Sequence, residues 1–476
     1  MTKSPLLLLL TIFLLVAPFA AAADDSQPKP NIVYINADDL GYTDLGCYAK
    51  DNLKETYYET PNLDRLATSG VRFTNGYAAS SNCAPSRACV MTGQWPQRHG
   101  VFTVGSSERG KAKNRKLIPV ENTKYVKASH TLLPEALKKI GYTTAHFGKW
   151  HITKDDPTNH GFDFNFGGFK GGSPTKGGYH SPYNYPNVEC EYKGEYLTDR
   201  LAKEVVNFID SHKDKPFFVN FATYTVHTPI QPKASLQKKY EQKTRATTHN
   251  NPNYAAMVQS LDEAVGNIID ALKKHQLLEN TLIVFTSDNG GHDGITDNSP
   301  LRAGKGSYYE GGIRAPFIFS WKGKITAGRT DHTPITNLDL FPTLLAAMDS
   351  TVPESLDGAN LMPLLLDGKS IADRALYWHF PVYLQAYKKD DRETRDPLFR
   401  TRPGSVIRSG DWKLHHYFED DAVELYNLKA DLSEKNNLAS SQPDKAKALL
   451  NQLNDWRKKT NAPLPAKSNP AYEIPK

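Results

Sequence analysis

Largely apolar runs at residues 31–36, 217–221 and 281–286 are uninterrupted by the alternation of a half-exposed strand, and a weaker run lies at 142–147. Such runs predict strands covered on both faces, as in a parallel sheet. Between them, 133–140, 197–212 and 253–275 carry apolar residues at helical spacing; in the last, Ala256, Met257, Leu261, Val265, Ile268 and Leu272 make one face. Strands alternating with helices predict a large doubly wound α/β sheet domain. Past Gly368 the texture changes. Short strands are expected at 374–380, 404–407, 412–417 and 424–428, and a closing helix at 445–459 with Ala448, Leu449, Leu453 and Trp456 on one side. The expected division is a sheet domain over 24–370 and a smaller C-terminal α+β subdomain over 371–476, a short antiparallel sheet plus helix.

The polar residues that end these runs are chemically specific. The first run stops at Asp38-Asp39, and the fourth at Asp288-Asn289-Gly290-Gly291. Ligands of open α/β sheets gather at the carboxyl ends of strands. Adjacent aspartates alone mark a solvated turn just as often; two strand ends of the same kind favour a site. Asp38, Asp39, Asp288 and Asn289 would form an oxygen cage with three negative charges, which suits Ca²⁺ or Mg²⁺ rather than zinc. The other two runs lead to Lys149 and His151 and to His227, and Lys305 follows in a glycine-flanked turn.

Residues 1–23 read as a secretory signal: Lys3, an apolar stretch over 6–17, then Ala20 to Ala23. The strongly apolar part is too short to span a bilayer, so no stable membrane anchor is expected, and the mature chain is expected to be exported, periplasmic or extracellular. A formal charge of +6 on 476 residues is too small to suggest a nucleic-acid partner and is compatible with an anionic substrate. Four cysteines (Cys47, Cys83, Cys89, Cys190) are too few for a disulfide scaffold.

The remaining stretch is Ser81-Asn82-Cys83-Ala84-Pro85-Ser86-Arg87, closing at Thr92-Gly93. Pro85 suits the start of a helix, which would place Cys83 just before it. Arg87 one turn on adds a fixed positive charge, so an anion would be held here. A lone cysteine by a Pro-Ser turn is more often a small buried apolar group, but this one has several specified neighbours. The stretch resembles the signature Cys-x-Pro-Ser-Arg…Thr-Gly of the formylglycine-dependent sulfatases, matched at Cys83, Pro85, Ser86, Arg87, Thr92 and Gly93. Asn82 departs mildly from that pattern.

The resemblance extends to the blocks around Lys149, His227, Lys305, 310–316 and 407–414, in family order. It implies an alkaline-phosphatase-like fold and a sulfuric ester hydrolase. In it, Cys83 is converted to formylglycine by a formylglycine-generating or sulfatase-maturating enzyme, and the aldehyde hydrate is the nucleophile. It further implies calcium, with Mg²⁺ the lesser expectation, on Asp38, Asp39, Asp288 and Asn289. Arg87 would hold the hydrate, Lys149 and Lys305 the sulfate oxygens, His227 would be the acid and His151 the base. With Cys83 modified, at most one disulfide is left to form, with no pairing specified. The expected substrate is a sulfated carbohydrate, a polysaccharide such as an algal galactan or ulvan, with glycosaminoglycans open. Rival expectations are a phosphodiesterase or phosphonate monoester hydrolase of the same fold, or a non-catalytic glycan-binding relative should Cys83 stay unmodified. Beyond the signature, the loop 105–116 carries Arg109, Lys111, Lys113, Arg115 and Lys116 against Glu108. It is either a solvated basic loop or a capture surface for a polyanionic chain.

Overall fold

The computed structural model describes residues 29–49, 57–175, 177–387 and 393–474; the signal-like stretch 1–23 lies outside them. Eight strands build the large sheet: β1 (Asn31–Ala37), β2 (Val71–Phe73), β3 (Thr143–Gly148), β4 (Phe164–Phe166), β5 (Phe217–Ala222), β6 (Thr281–Ser287), β7 (Phe317–Ser320) and β8 (Arg329–Asp331). Their order is β4-β3-β5-β1-β6-β7-β2-β8. Only β7 runs against its neighbours, so the sheet is mixed with a parallel centre.

The continuous apolar runs have the expected cause. Every residue of β1 is buried. Val33 and Ile35 face one core, shared with Leu201 and Val205 of the helix Leu197–His212 and Leu261, Val265 and Ile268 of the helix Pro252–Lys274. Ile32 and Tyr34 face the other, shared with Ala84, Ala88 and Met91 of the helix Cys83–Thr92 and with Leu133 and Leu137. Alternate side chains thus serve opposite cores, which a run polar on one face could not do.

The C-terminal sheet is antiparallel, β9 (Leu376–Phe380), β10 (Gly404–Ser409), β11 (Trp412–Tyr417) and β12 (Val423–Asn427) in sequence order. The helix Pro443–Lys459 packs Leu449, Leu453 and Trp456 on Ile407, Leu414 and Leu425 of this sheet. A buried ion cluster joins the sheet to the large domain. Lys413 Nζ lies 2.9 Å from both Glu310 Oε1 and Glu434 Oε1, and Arg314 and Tyr77 donate to Glu310 Oε2. The four cysteines are unpaired. Among the described residues, no helix is long and apolar enough to cross a membrane.

Candidate active site

Strands β3, β5, β1 and β6 lie side by side, all parallel and nearly level: Gly148 and Asn36 both pair with Ala222, and Ala37 pairs with Ser287. Their carboxyl ends therefore deliver Lys149, the turn carrying His227, Asp38-Asp39 and Asp288-Asn289 to one rim. Backbone hydrogen bonds lock the exits together: Asp38 N to Thr225 O (3.0 Å), Val226 N to Asp38 O (2.8 Å), Asp288 N to Ala37 O (3.1 Å) and Lys149 N to Ala222 O (2.6 Å). Asp39 and His151 adopt positive φ of 61° and 59°, a sparsely populated conformation for residues with a Cβ and one concentrated at functional sites. Gly172 lets its backbone pass against the His151 ring, since a Cβ there would sit 2.2 Å from Cε1.

The signature helix spans Cys83–Thr92, preceded by extended Asn82. Cys83 is its first residue, where the sequence reading placed it just before the helix. Pro85 still lies in the first turn, where its missing N–H breaks no helical bond. Cys83 is buried. Gly306 N donates to Ser81 O at 2.9 Å, which brings the Lys305 turn beside the start of this helix.

Six charges meet at the rim. Arg87 Nε donates to Asp288 Oδ2 (2.7 Å) and Nη1 to Lys149 O (3.1 Å). Lys149 Nζ donates to Asp38 Oδ2 (2.6 Å), and Lys305 Nζ to Asp39 Oδ2 (2.7 Å). Asn289 Nδ2 donates to Asp39 Oδ1 (2.9 Å), and Asp39 N to Asp288 Oδ1 (3.2 Å). Three carboxylates balance three cations, yet Asp38 Oδ1, Asn289 Oδ1 and Arg87 Nη2 are buried without a hydrogen-bond partner among the described residues. Asp38 Oδ1 has the Arg87 guanidinium no nearer than 3.9 Å; buried oxygens without a hydrogen bond are costly, and two in one acidic cage are what a hard cation would satisfy. Asp38, Asp39 and His227 also offer ligand atoms within 4.8 Å of one another. The donor set fits a divalent metal.

The three carboxyls do not titrate alike. Burial pushes the Asp38 carboxyl well above its ordinary value, with Lys149 opposing. Burial works against Asp39 too, but Lys305 and His227 hold it below the usual range, and Arg87 does the same for Asp288. Burial drives His151 well down, helped by the charges of Lys149 and Arg87. His227 is pushed down to about 3 by burial against the pull of Asp39, whose Oδ2 lies 3.7 Å from Nε2. The His227 Nδ1–H donates to Thr228 O at 2.7 Å, which leaves Nε2 facing the carboxylates. His151 Nδ1 is buried and unpartnered.

Every residue singled out in the sequence for this site is therefore at one rim. The basic loop turns out differently. Arg115 is buried and donates to Glu108 O, Gly110 O and Glu108 Oε2, while Arg109 donates to Gln385 Oε1 and Val104 O. Lys113 pairs with Glu473. These residues fasten the loop to itself and to the C-terminal part, since a backbone bond from Tyr383 N to Ser107 O runs alongside them. Lys111 and Lys116 remain exposed. Three further residues near the rim, His292, Tyr387 and Arg400, had no local signal, because the contacts that unite them join distant segments.

Comparison with known proteins gives the family. Residues 30–350 match the family model described as Sulfatase, and residues 304–459 match that of the N-sulphoglucosamine sulphohydrolase C-terminal region. The chain is 34% identical to a sulfatase of Formosa agariphila, over 94% of this chain and 93% of that one. It is 33% identical to the human N-acetylgalactosamine-6-sulfatase, over 75% of this chain and 69% of the relative. The solved structure of Ps i-CgsB in complex with k-i-k-neocarrahexaose superposes with a TM-score of 0.73 at 31% identity, covering 92% of this chain and 94% of that one. With the family model covering most of its length and these relatives matching along it, the chain belongs to the sulfatase family and is a sulfuric ester hydrolase.

Proposed function

We propose that this sulfatase is exported and removes sulfate from a sulfated carbohydrate, a galactan-type polysaccharide above all, with formylglycine made from Cys83 as nucleophile. The observation that supports this most is the cage itself: Cys83 begins a helix whose Arg87 is bonded to Asp288, one of four oxygen-bearing residues around two unpartnered oxygens. The sugar class draws on the relatives, one named for N-acetylgalactosamine 6-sulfate chemistry and one solved with a neocarrahexaose.

Calcium on Asp38, Asp39, Asp288 and Asn289, together with the aldehyde hydrate from Cys83, would supply Lewis acidity and an oxygen nucleophile at the sulfur. The chain's own residues do the rest. Arg87, Lys149 and Lys305 are fixed in place by Asp288, Asp38 and Asp39 before substrate arrives. Lys149 and Lys305 would meet the sulfate oxygens and Arg87 would hold the hydrate, and charges placed in advance are the main source of electrostatic stabilisation in such sites. His151, driven down by burial, is neutral and ready to take a proton. His227 would donate one to the departing sugar oxygen. Before the ester binds, burial outweighs the pull of Asp39, 3.7 Å from His227 Nε2, and keeps the imidazole neutral; the proton would come in with the anionic ester, whose charge favours the imidazolium.

The test joins two measurements on the protein purified from an exporting host. Peptide mass spectrometry over Cys83 should show the thiol replaced by an aldehyde, and sulfate should be released from sulfated galactan oligosaccharides. An unmodified thiol in fully active enzyme would overturn the nucleophile assignment. Release from aryl sulfates but from no sulfated sugar would overturn the substrate class.

A further inference from the structure

Tyr387 is 43% exposed, yet it is not a loose surface ring. The His292 ring stacks on it with centroids 4.0 Å apart and planes 24° from parallel, and the Arg400 guanidinium lies 3.6 Å from its centroid. Two groups that close cannot share one face, so the tyrosine is clamped on both. What it leaves open is its edge and its hydroxyl, which has no partner among the described residues.

This stack belongs to the catalytic rim. Arg400 Nη1 donates to Lys305 O (3.0 Å), and Lys305 N donates to Gly291 O (2.9 Å), the residue before His292. Lys305 also bonds Asp39, so the stack and the charged cage share one turn. Gly306, at φ 88°, makes room: a Cβ there would meet Arg400 Nη1 at 2.6 Å. Arg400 Nε donates to Gln385 O, and Arg109 from the basic loop to Gln385 Oε1, so the chain two residues before Tyr387 is held from both sides. Both rings sense the charges of Lys305 and Asp39. The His292 Nδ1–H donates to Asp293 O at 2.6 Å, which leaves Nε2 as an acceptor. On two stacked rings, a hydroxyl donor and an imidazole acceptor suit the hydroxyls of a pyranose ring, and orienting an aromatic in advance lowers the cost of binding.

We propose that the Tyr387 hydroxyl and His292 Nε2 form a sugar-hydroxyl recognition pair at the mouth of the sulfate site, selecting pyranose sulfates over other sulfate esters. This rests on the carbohydrate sulfatase reading above. The test compares wild type, Tyr387→Phe and His292→Ala on 4-methylumbelliferyl sulfate and on sulfated galactan oligosaccharides. The readout is the ratio of kcat/KM on sugar to kcat/KM on the aryl ester. Tyr387→Phe keeps the stack and removes one hydrogen bond, so the ratio should fall roughly fivefold, most of it in KM. His292→Ala should lower it roughly tenfold or more, because the tyrosine also loses its support. A ratio unchanged in both variants, whether the two rates stay or fall together, overturns the pair while leaving the sulfatase reading intact. Wild type that releases no sulfate from the sugar overturns the carbohydrate reading, and the pair with it.

Discussion

Two buried charge clusters in this molecule use the same chemistry to opposite ends. At the rim, Asp38, Asp39 and Asp288 face Arg87, Lys149 and Lys305; at the junction with the C-terminal sheet, Glu310 and Glu434 face Lys413, Arg314 and, through Tyr77, Arg408. At the junction every carboxylate oxygen is engaged. Glu310 Oε1 accepts from Lys413, and Oε2 from Tyr77 and Arg314; Glu434 Oε1 accepts from Lys413, and Oε2 from Glu310 N. At the rim, Asp38 Oδ1 and Asn289 Oδ1 accept nothing. Their titration differs as well. Lys413 and Arg314 hold Glu310 down at about 2 in spite of burial, whereas burial raises Asp38 well above its ordinary value. A finished network holds two layers together; an unfinished one waits for a ligand. Both clusters set buried carboxylates against buried cations; satisfaction of the oxygens is what separates them.

The contrast is open to direct attack. Cys83→Ala should lose sulfate ester cleavage by on the order of 10³-fold or more, as loss of a nucleophile does. Its melting temperature should stay close to wild type, because one sulfur atom is removed from the first turn of a helix. Near-normal turnover in that variant would remove Cys83 from the reaction. Next, exhaustive chelation, or Asp288→Ala, should lower activity roughly 10²-fold or more, with calcium restoring only the chelated wild type. Full activity without any divalent ion would mean that the open oxygens serve another purpose.

Lys413→Met tests the other cluster. Leaving Glu434 buried without its lysine, and Glu310 with Arg314 as its remaining cation, should cost about 3–5 kcal/mol of stability, read from denaturant unfolding. Lys149→Met should cost less stability, because Asp38 is already raised and can take up a proton instead, while its activity falls severely. Equal stability losses in the two variants would erase the distinction between the clusters.

A smaller effect lies in pH. His379 is buried, with Nδ1 at 2.8 Å from Ser405 Oγ and Nε2 at 2.9 Å from Pro463 O, and burial lowers its pKa to about 3. The unfolded chain protonates it near 6.5, so between those values the unfolded state binds more protons. Stability from this group is complete above pH 6.5 and is lost progressively as pH falls toward 3. His379→Gln should flatten the decline in melting temperature between pH 6.5 and 4; an unchanged slope would assign the decline elsewhere. The smallest effect is expected from Lys111→Gln with Lys116→Gln. KM for a sulfated oligosaccharide should rise by less than about twofold, and less still in salt. Arg115→Gln, by contrast, should destabilise the fold, because that side chain is buried among backbone carbonyls.

Much of the rim was legible beforehand for a simple reason. A strand buried on both faces is an unbroken apolar run, and whatever polar residue stops it stands at the sheet's edge, so Asp38, Asp288 and Lys149 announced their place locally. The loop 105–116 was legible only as charge. Whether Arg115 faces solvent or a set of carbonyls depends on the Glu108 and Gly110 carbonyls that the folded loop turns toward it, and no composition reports that.

By itself the sequence determined the alternation of strands and helices, the signature stretch around Cys83, and the residue types at each strand end, because these follow from spacing within a few residues. Tertiary structure alone decided that Asp39 and Asp288, 249 positions apart, share a hydrogen bond, and that Asp38 Oδ1 and Asn289 Oδ1 are left open. It also decided that His292, Tyr387 and Arg400 stack beside Lys305. Strand order and level set which side chains meet, and those are fixed by packing two cores against one sheet, a cooperative outcome that no single stretch of the chain contains.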